Sequence, residues 1–234
     1  MFLTTPITAA QLLGTTEQHI RLIDERVAIH QDMHSAFTSL QKAALADDIK
    51  IDIASGFRSF ERQKMIWNNK FSGRSPVKNE VGKSVNLSSL SDIDKANAIL
   101  LFSALPGASR HHWGCDIDIY SQKLLPEQQT LQLEPWEYES TGPFAPLTAW
   151  LKEHARAFDF YFPYDKYRGG IAAEPWHLSF APLSHAYEQA FQLDILIDCI
   201  NHSNIEGGQM IINNLDFIVK TYISNVNEGE FTCL

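Results

Sequence analysis

The chain has no run of eighteen consecutive apolar residues, so no segment is long enough to cross a bilayer as a helix. It has no basic surplus: 19 Lys and Arg face 28 Asp and Glu, a net charge of −9. That balance excludes a nucleic-acid binder, whose affinity comes mainly from neutralising phosphates. Cysteine is scarce. Cys115, Cys199 and Cys233 are scattered with no C-x-x-C pair, which excludes a structural zinc knuckle. An odd number of thiols fits a reducing compartment. The first fourteen residues lack both a basic head and an apolar core, so they do not read as an export signal. The expectation is a cytoplasmic protein, with periplasm or cell envelope as the alternative. Internal repeats, low-complexity tracts and the helical H-E-x-x-H metal motif are also missing.

What is present suits a compact soluble chain. With 234 residues, 44% apolar and 20% charged, it can bury one good core or two small ones. Thr15-Thr16-Glu17 suggests the cap of a short helix running to Arg26. Met33, Phe37, Leu40, Ala44 and Leu45 recur at helical spacing over 32–46. Ile49, Ile51 and Ile53 alternate with Lys50 and Asp52, the pattern of a half-buried strand, which ends at Ser55-Gly56. Ser59 is placed to cap a following helix. Residues 68–92 read as a long polar insertion, and loops of that length often form a lid or rim. A helix over 92–105 stops at Pro106-Gly107.

A strand over 116–120 places Ile117 and Ile119 toward a core and Asp116, Asp118 and Tyr120 on the other face. Residues 121–142 read as a polar connection, 146–158 as a helix, and 160–167 as an aromatic loop. A short strand over 177–180 turns Leu178 and Phe180 inward, and helices over 184–202 and 208–225 complete the chain. Strands and helices mix without a steady βαβ rhythm, which indicates an α+β fold.

Chemistry concentrates in Ser109-Arg110-His111-His112-Trp113-Gly114-Cys115-Asp116-Ile117-Asp118, where two histidines and two aspartates share ten residues. Glu174-Pro175-Trp176-His177 follows about sixty residues later. His111 and Asp118 can converge from a turn and a strand, and His177 can join them from a neighbouring strand. Two histidines and a carboxylate leave a fourth position open, as a catalytic zinc site requires. Glu174 is then a carboxylate free to move protons, on a segment that Pro175 keeps out of a regular helix. Each residue also has a plainer reading. A histidine is more often structural or solvated than a ligand, Asp116 and Asp118 would suit a solvated strand face, and His112 competes with His111 on spacing alone. Cys115 reads as a small buried apolar residue.

Ser55-Gly56-Phe57-Arg58-Ser59 with Gln63, then Ser109-x-His111-x-x-Gly114-x-x-x-Asp118, then Glu174-x-Trp176-His177, occur in this order. Over roughly residues 27–182 this resembles the LAS zinc metallopeptidases, in particular D-alanyl-D-alanine carboxypeptidases of the vancomycin-resistance type and their L,D-carboxypeptidase relatives. The resemblance implies that His111, Asp118 and His177 hold Zn2+, that Glu174 is the catalytic base, and that Arg58 stabilises the oxyanion. It implies that Gln63 and Ser109 help hold the substrate's terminal carboxylate or the neighbouring backbone. The plainer readings are a surface ion pair for Arg58, a helix-face amide for Gln63 and a turn hydroxyl for Ser109. The chain departs from the family at Asp116, where a small apolar residue is usual. A second carboxylate there could hydrogen-bond a ligand histidine.

The expected architecture is a single α+β domain with a small, mostly antiparallel sheet: a lead-in at 1–26, a peptidase core at 27–182 and a C-terminal helical extension at 183–234. The expected activity is hydrolysis of the terminal D-alanine bond of peptidoglycan stem peptides. The alternatives are a dipeptidase or endopeptidase with the same catalytic set, or a silent module that binds wall peptides. No nucleic-acid or membrane partner is expected.

Overall fold

The computed structural model describes residues 6–229. Cys233 and the first five residues of the N-terminal stretch lie outside the described residues. The centre is a four-stranded antiparallel sheet in the order β3–β4–β6–β5, formed by β3 (Asp52–Ser55), β4 (Asp116–Tyr120), β6 (His177–Phe180) and β5 (Phe160–Tyr161). Strand alternation makes β4 two-sided. Ile117 and Ile119 are fully buried in the core, and Asp116 and Asp118 lie on the opposite face. Register then does the positioning: Asp118 is paired with His177 of β6 and with Ser55 of β3, and Asp116 is paired with Ser179. Both aspartates are buried, so this face is an enclosed site and not the solvated strand surface that alternation alone would allow.

Two hydrophobic cores support the sheet and its surroundings. The first packs the apolar face of the sheet against α2 (His34–Ala46) and α6 (Ala145–His154) through Phe37, Leu40, Leu147, Leu151, Leu178 and Phe180. The second lies among α3 (Phe60–Phe71), α4 (Asp92–Leu100), α8 (Leu193–His202), α9 (Gly208–Asn213) and α10 (Leu215–Ile218), and includes Trp67, Ile99, Ile211 and Ile218. Trp67 is completely buried there and its Nε1 donates to the Glu206 carbonyl at 3.0 Å. The C-terminal helices are thereby fastened to α3. Among the described residues no helix is long and apolar enough to cross a membrane.

Several elements differ from the sequence expectation. No helix spans 15–26. A short α1 (Ala9–Leu13) ends at Gly14, which adopts the left-handed conformation at φ 72°, and an antiparallel hairpin follows, β1 (Ile20–Leu22) with β2 (Ala28–His30). The Asp24 carboxylate accepts from the Arg26 and Val27 amides and closes that hairpin, a local bond that apolar spacing does not reveal. The strand expected over 49–53 pairs only from Asp52, because the amides of 47–49 are occupied by carbonyls of the last turn of α2. Helix α3 reaches Phe71, into the expected insertion, whereas α4 stops at Leu100. The insertion is anchored by buried Val77 and Leu87. A short α5 (Pro135–Tyr138) interrupts the polar connection, and Phe160 and Tyr161 pair as β5. The expected 184–202 helix is divided into α7 (Ala181–Ala190) and α8 by extended backbone at Phe191 and Gln192. The expected 208–225 helix breaks at Asn214 between α9 and α10.

Near β2 lies a group of neutral histidines. His19 and His30 have ring centroids 5.3 Å apart, and burial pushes both down to about 4. Burial pushes His112 to about 3, with the Arg58 and His111 charges adding to the effect and its hydrogen bond to the Arg58 backbone opposing it. These values lie below that of a free histidine, about 6.5. The unfolded chain therefore takes up protons below that pH while the folded chain does not. Stability is full above pH ~6.5 and falls as the pH drops toward 4, by about 1.4 kcal/mol per group for each pH unit. Denaturant unfolding between pH 7 and 4.5 should show a loss of several kcal/mol on this account. A flat profile would show that these rings are accessible to water in the folded protein.

Candidate active site

His111 lies in a single 3-10 turn, Arg110–Trp113, that ends at Gly114 with φ 71°. A side chain at Gly114 would meet the backbone amide of His30 at 2.9 Å, so the close approach of the hairpin requires glycine. The Nδ1–H of His111 donates to the Gly56 carbonyl at 2.9 Å, which leaves its Nε2 as the free lone pair. That Nε2 is 3.4 Å from Asp118 Oδ2. Across the sheet, His177 Nδ1 is 3.4 Å from Asp118 Oδ1. One donor atom from each of His111, Asp118 and His177 lies within 4.8 Å of the others. Asp118 Oδ1 is buried without a hydrogen-bond partner, an acceptor that a cation would satisfy. Burial alone would raise the Asp118 pKa, but His111 and His177 beside it hold it below the usual carboxylate range. Two imidazoles and one carboxylate with room for a further ligand fit zinc.

His112, which competes with His111 on spacing, is used elsewhere. Its Nδ1–H donates to the Arg58 carbonyl at 2.6 Å and its Nε2 accepts from the Gly107 amide at 3.1 Å. Both ring nitrogens are thus committed to backbone.

Asp116 accepts from His177. The Nε2–H of His177 reaches Asp116 Oδ1 at 3.0 Å, so the imidazole presents Nδ1 to the metal position. Asp116 is itself held by Arg110 Nε at 2.7 Å and by the Ser179 hydroxyl at 3.0 Å. Arg110 also donates to the Tyr161 hydroxyl and to Glu188. Burial works against the Asp116 charge, but Arg110 and then His177 outweigh it and keep this carboxylate ionised. Burial likewise opposes the His177 charge; Asp116 and Glu174 overcome that and raise it to about 9 before any metal binds. Arg110 and Ser179 were not anticipated as part of the site. The available signal was Asp116 itself, since a buried carboxylate where an apolar residue is usual requires a cation.

Glu174 ends a loop and precedes the turn into β6. Its Oε2 is 3.2 Å from His177 Nδ1, beside the metal position. Arg58 lies between α3 and the ligands: Nη1 donates to Gln63 Oε1 at 3.0 Å, Nη2 donates to Ser55 at 3.1 Å, and Nη2 is 3.9 Å from Asp118.

These groups line a cleft of about 400 Å³ whose walls include Arg58, Ser109, His111, Asp118, Glu174 and His177. The insertion contributes Pro76 to Glu80 and Gly82 to the rim, and the 121–142 connection contributes Gln132 to Pro135. Ser109 lies on the cleft wall, and its buried hydroxyl has no hydrogen-bond partner among the described residues. Gln63, expected to help hold the substrate, is not on the cleft wall. It is fully buried, with its oxygen on Arg58 and its nitrogen donating to the Ala104 carbonyl at 2.7 Å. It reaches the site only by aiming Arg58. Trp176 packs its ring 5.7 Å from Tyr138 in the first core.

Comparison with known proteins gives the family and the fold. The family profile described as VanY: D-alanyl-D-alanine carboxypeptidase matches residues 26–183. An uncharacterized protein of Haemophilus influenzae is 41% identical over 121 residues, covering 51% of this chain and 92% of the relative. A mutant of the vancomycin-resistance D,D-pentapeptidase VanY, solved in complex with Zn(II), aligns with a TM-score of 0.50 at 23% identity over 76% of this chain and 88% of that one. The LdcB LD-carboxypeptidase aligns with a TM-score of 0.53 at 20% identity over 78% and 79%. At these identities the solved structures establish a shared fold. The profile match contains the four-stranded sheet and every cleft residue named above, and the chain belongs to the VanY family of D-alanyl-D-alanine carboxypeptidases.

Proposed function

We propose that this protein is a zinc-dependent carboxypeptidase that removes terminal D-alanine from peptidoglycan stem peptides. The observation that carries this reading is the convergence of His111, Asp118 and His177 on the floor of a peptide-sized cleft, with Glu174 beside them. A zinc ion held there would polarise the scissile carbonyl and activate a water for attack. Glu174 takes the proton of the attacking water at its carboxylate and returns it to the leaving amine. Arg58, aimed by Gln63 and Ser55, meets the negative charge that develops on the carbonyl oxygen. The guanidinium suits that role because it stays charged and offers several donors in fixed geometry. Buried Asp116 keeps His177 in the tautomer that turns Nδ1 toward the ion.

The test combines metal analysis with mass spectrometry of stem tetrapeptides and pentapeptides after incubation. About one zinc per chain and loss of a single D-alanine are expected. The stem that shortens identifies the D,D or L,D bond. Release of a dipeptide or internal cleavage would replace the carboxypeptidase reading with that of a dipeptidase or endopeptidase. Bound zinc without cleavage of any stem would favour a peptide-binding module.

A further inference from the structure

Two parts of the cleft rim meet. On one side the insertion forms a small hairpin. The Val85 amide donates to the Val77 carbonyl at 2.8 Å, and the Asn79 amide to the Lys83 carbonyl at 2.9 Å. The Asn79 side-chain oxygen accepts from the Val81 and Lys83 amides and closes the tip. Val77 and Leu87 root this hairpin in the second core. On the other side Leu133 packs against the first core. Its φ of 52° is a left-handed conformation that a leucine adopts only at a cost. Buried Glu137 holds it there. The Glu137 carboxylate accepts from the Gln132 amide at 3.2 Å and from the Glu134 amide at 3.0 Å, gripping the backbone on both sides of Leu133. This strained segment presents Glu134 to Lys78, and the two form an ion pair on the cleft wall. Among the described residues it is the one hydrogen bond or ion pair between hairpin 77–85 and segment 131–138.

We propose that Lys78 and Glu134 are specificity-determining residues, a latch that closes one side of the cleft to peptides branched near the scissile bond. Direct contact between the ammonium and the carboxylate leaves no gap for a second chain, since even paired strands need about 4.8 Å. An unbranched stem lies in the cleft with the latch shut. A branched one has to break the ion pair and displace the hairpin. The pair is partly exposed, so it opens at little cost and is weakened by salt. The hairpin keeps its own hydrogen bonds when released and so moves as a unit. The strain at Leu133 is the cost of aiming Glu134 at Lys78. This inference rests on the peptidase reading of the cleft, and its test is independent of turnover.

The test uses zinc-loaded Glu174→Gln protein as parent, with Lys78→Glu, Glu134→Lys and the swapped pair Lys78→Glu/Glu134→Lys. The ligands are a linear stem pentapeptide and the same stem carrying a second peptide on the side-chain amine of its third residue. Calorimetry should show the parent binding the linear stem roughly fivefold more tightly than the branched one, the upper end for a partly exposed ion pair. Each single variant should lose that preference, and the swapped pair should regain it, while melting temperature and zinc content do not move. Hydrogen exchange of the hairpin amides, measured without ligand, should quicken in the single variants and slow again in the swapped pair. Exchange that ignores the substitutions, or a preference that survives them, would overturn the latch. Equal binding of both stems by a parent whose exchange does respond would overturn the specificity alone. Failure of the parent to bind either stem would overturn the specificity together with the peptidase reading.

Discussion

Replacing Glu174 with alanine should lower kcat by about 10²- to 10⁴-fold, the usual contribution of a positioned general base, while zinc remains bound. The two parts separate because Glu174 is adjacent to the metal position without belonging to the cluster formed by His111, Asp118 and His177. Its Oε2 is 3.2 Å from His177 Nδ1, and the orientation of His177 is set from the opposite edge by Asp116. Truncating Glu174 is therefore expected to remove the proposed proton carrier and to leave the ligand geometry in place. His177→Ala is the contrasting variant, since it removes a donor and should lose zinc itself. Zinc stoichiometry and single-turnover peptide hydrolysis, measured on the same preparations, decide the matter. Activity in Glu174→Ala within tenfold of the parent would eliminate Glu174 as the base.

A second large effect is expected behind the metal position. Arg110 and Asp116 form an ion pair in which neither side chain is appreciably exposed. Removing one partner of such a pair leaves the other charge buried and uncompensated, at about 3–5 kcal/mol. Asp116→Ala and Arg110→Met should each lower stability by that order. The double variant should be much less destabilised than the sum of the two, because no buried charge remains without its partner; Glu188, the other carboxylate on Arg110, is partly exposed. Zinc affinity should behave differently. His177 loses its acceptor whenever Asp116 is absent, so both Asp116→Ala and the double variant should bind zinc about 10- to 100-fold more weakly. Denaturant unfolding and metal competition, run on all three variants, test the two halves of the argument. Additive destabilisation in the double variant would show that the pair is not electrostatically closed.

Most of the candidate site was legible because its chemistry lies in short motifs. Spacing left His112 competing with His111, and the resemblance singled out His111, Asp118 and His177; the sheet register brings Asp118 opposite His177, and the three side chains cluster. The single-domain α+β class followed from the same mixture of patterns. Less was legible where the decisive partner is distant in sequence. The role of Arg110 depends on Tyr161, Ser179 and Glu188, which only the folded sheet brings near. Gln63 occupies a helix face that faces inward because α4 and the 104 carbonyl cover it, and no local pattern indicates that. The N-terminal hairpin was misread because Ile20, Leu22 and Ile23 suit either period, and the choice is made by pairing with β2 and by the Asp24 turn. The breaks at Phe191 and Asn214 have no adjacent Pro or Gly to announce them, and Phe191 packs against the second core.

The cleft lies along the seam between two cores. The metal ligands are carried by the sheet and the adjoining turn, whereas Lys70, Ser103 and the insertion belong to the assembly of α3, α4 and the C-terminal helices. The Arg58 amide, which donates to the His111 carbonyl at 3.0 Å, ties the segment leading into α3 to the turn that carries His111. Peptide hydrolysis is sensitive to misplacement of about 1 Å. Helices α8 to α10 complete the second core against α3 and α4, so their packing is expected to set where that wall of the cleft stands. Genetic damage at Ile211 or Leu215 should accordingly present as a fully metallated protein with poor turnover, a phenotype easily mistaken for that of an active-site lesion.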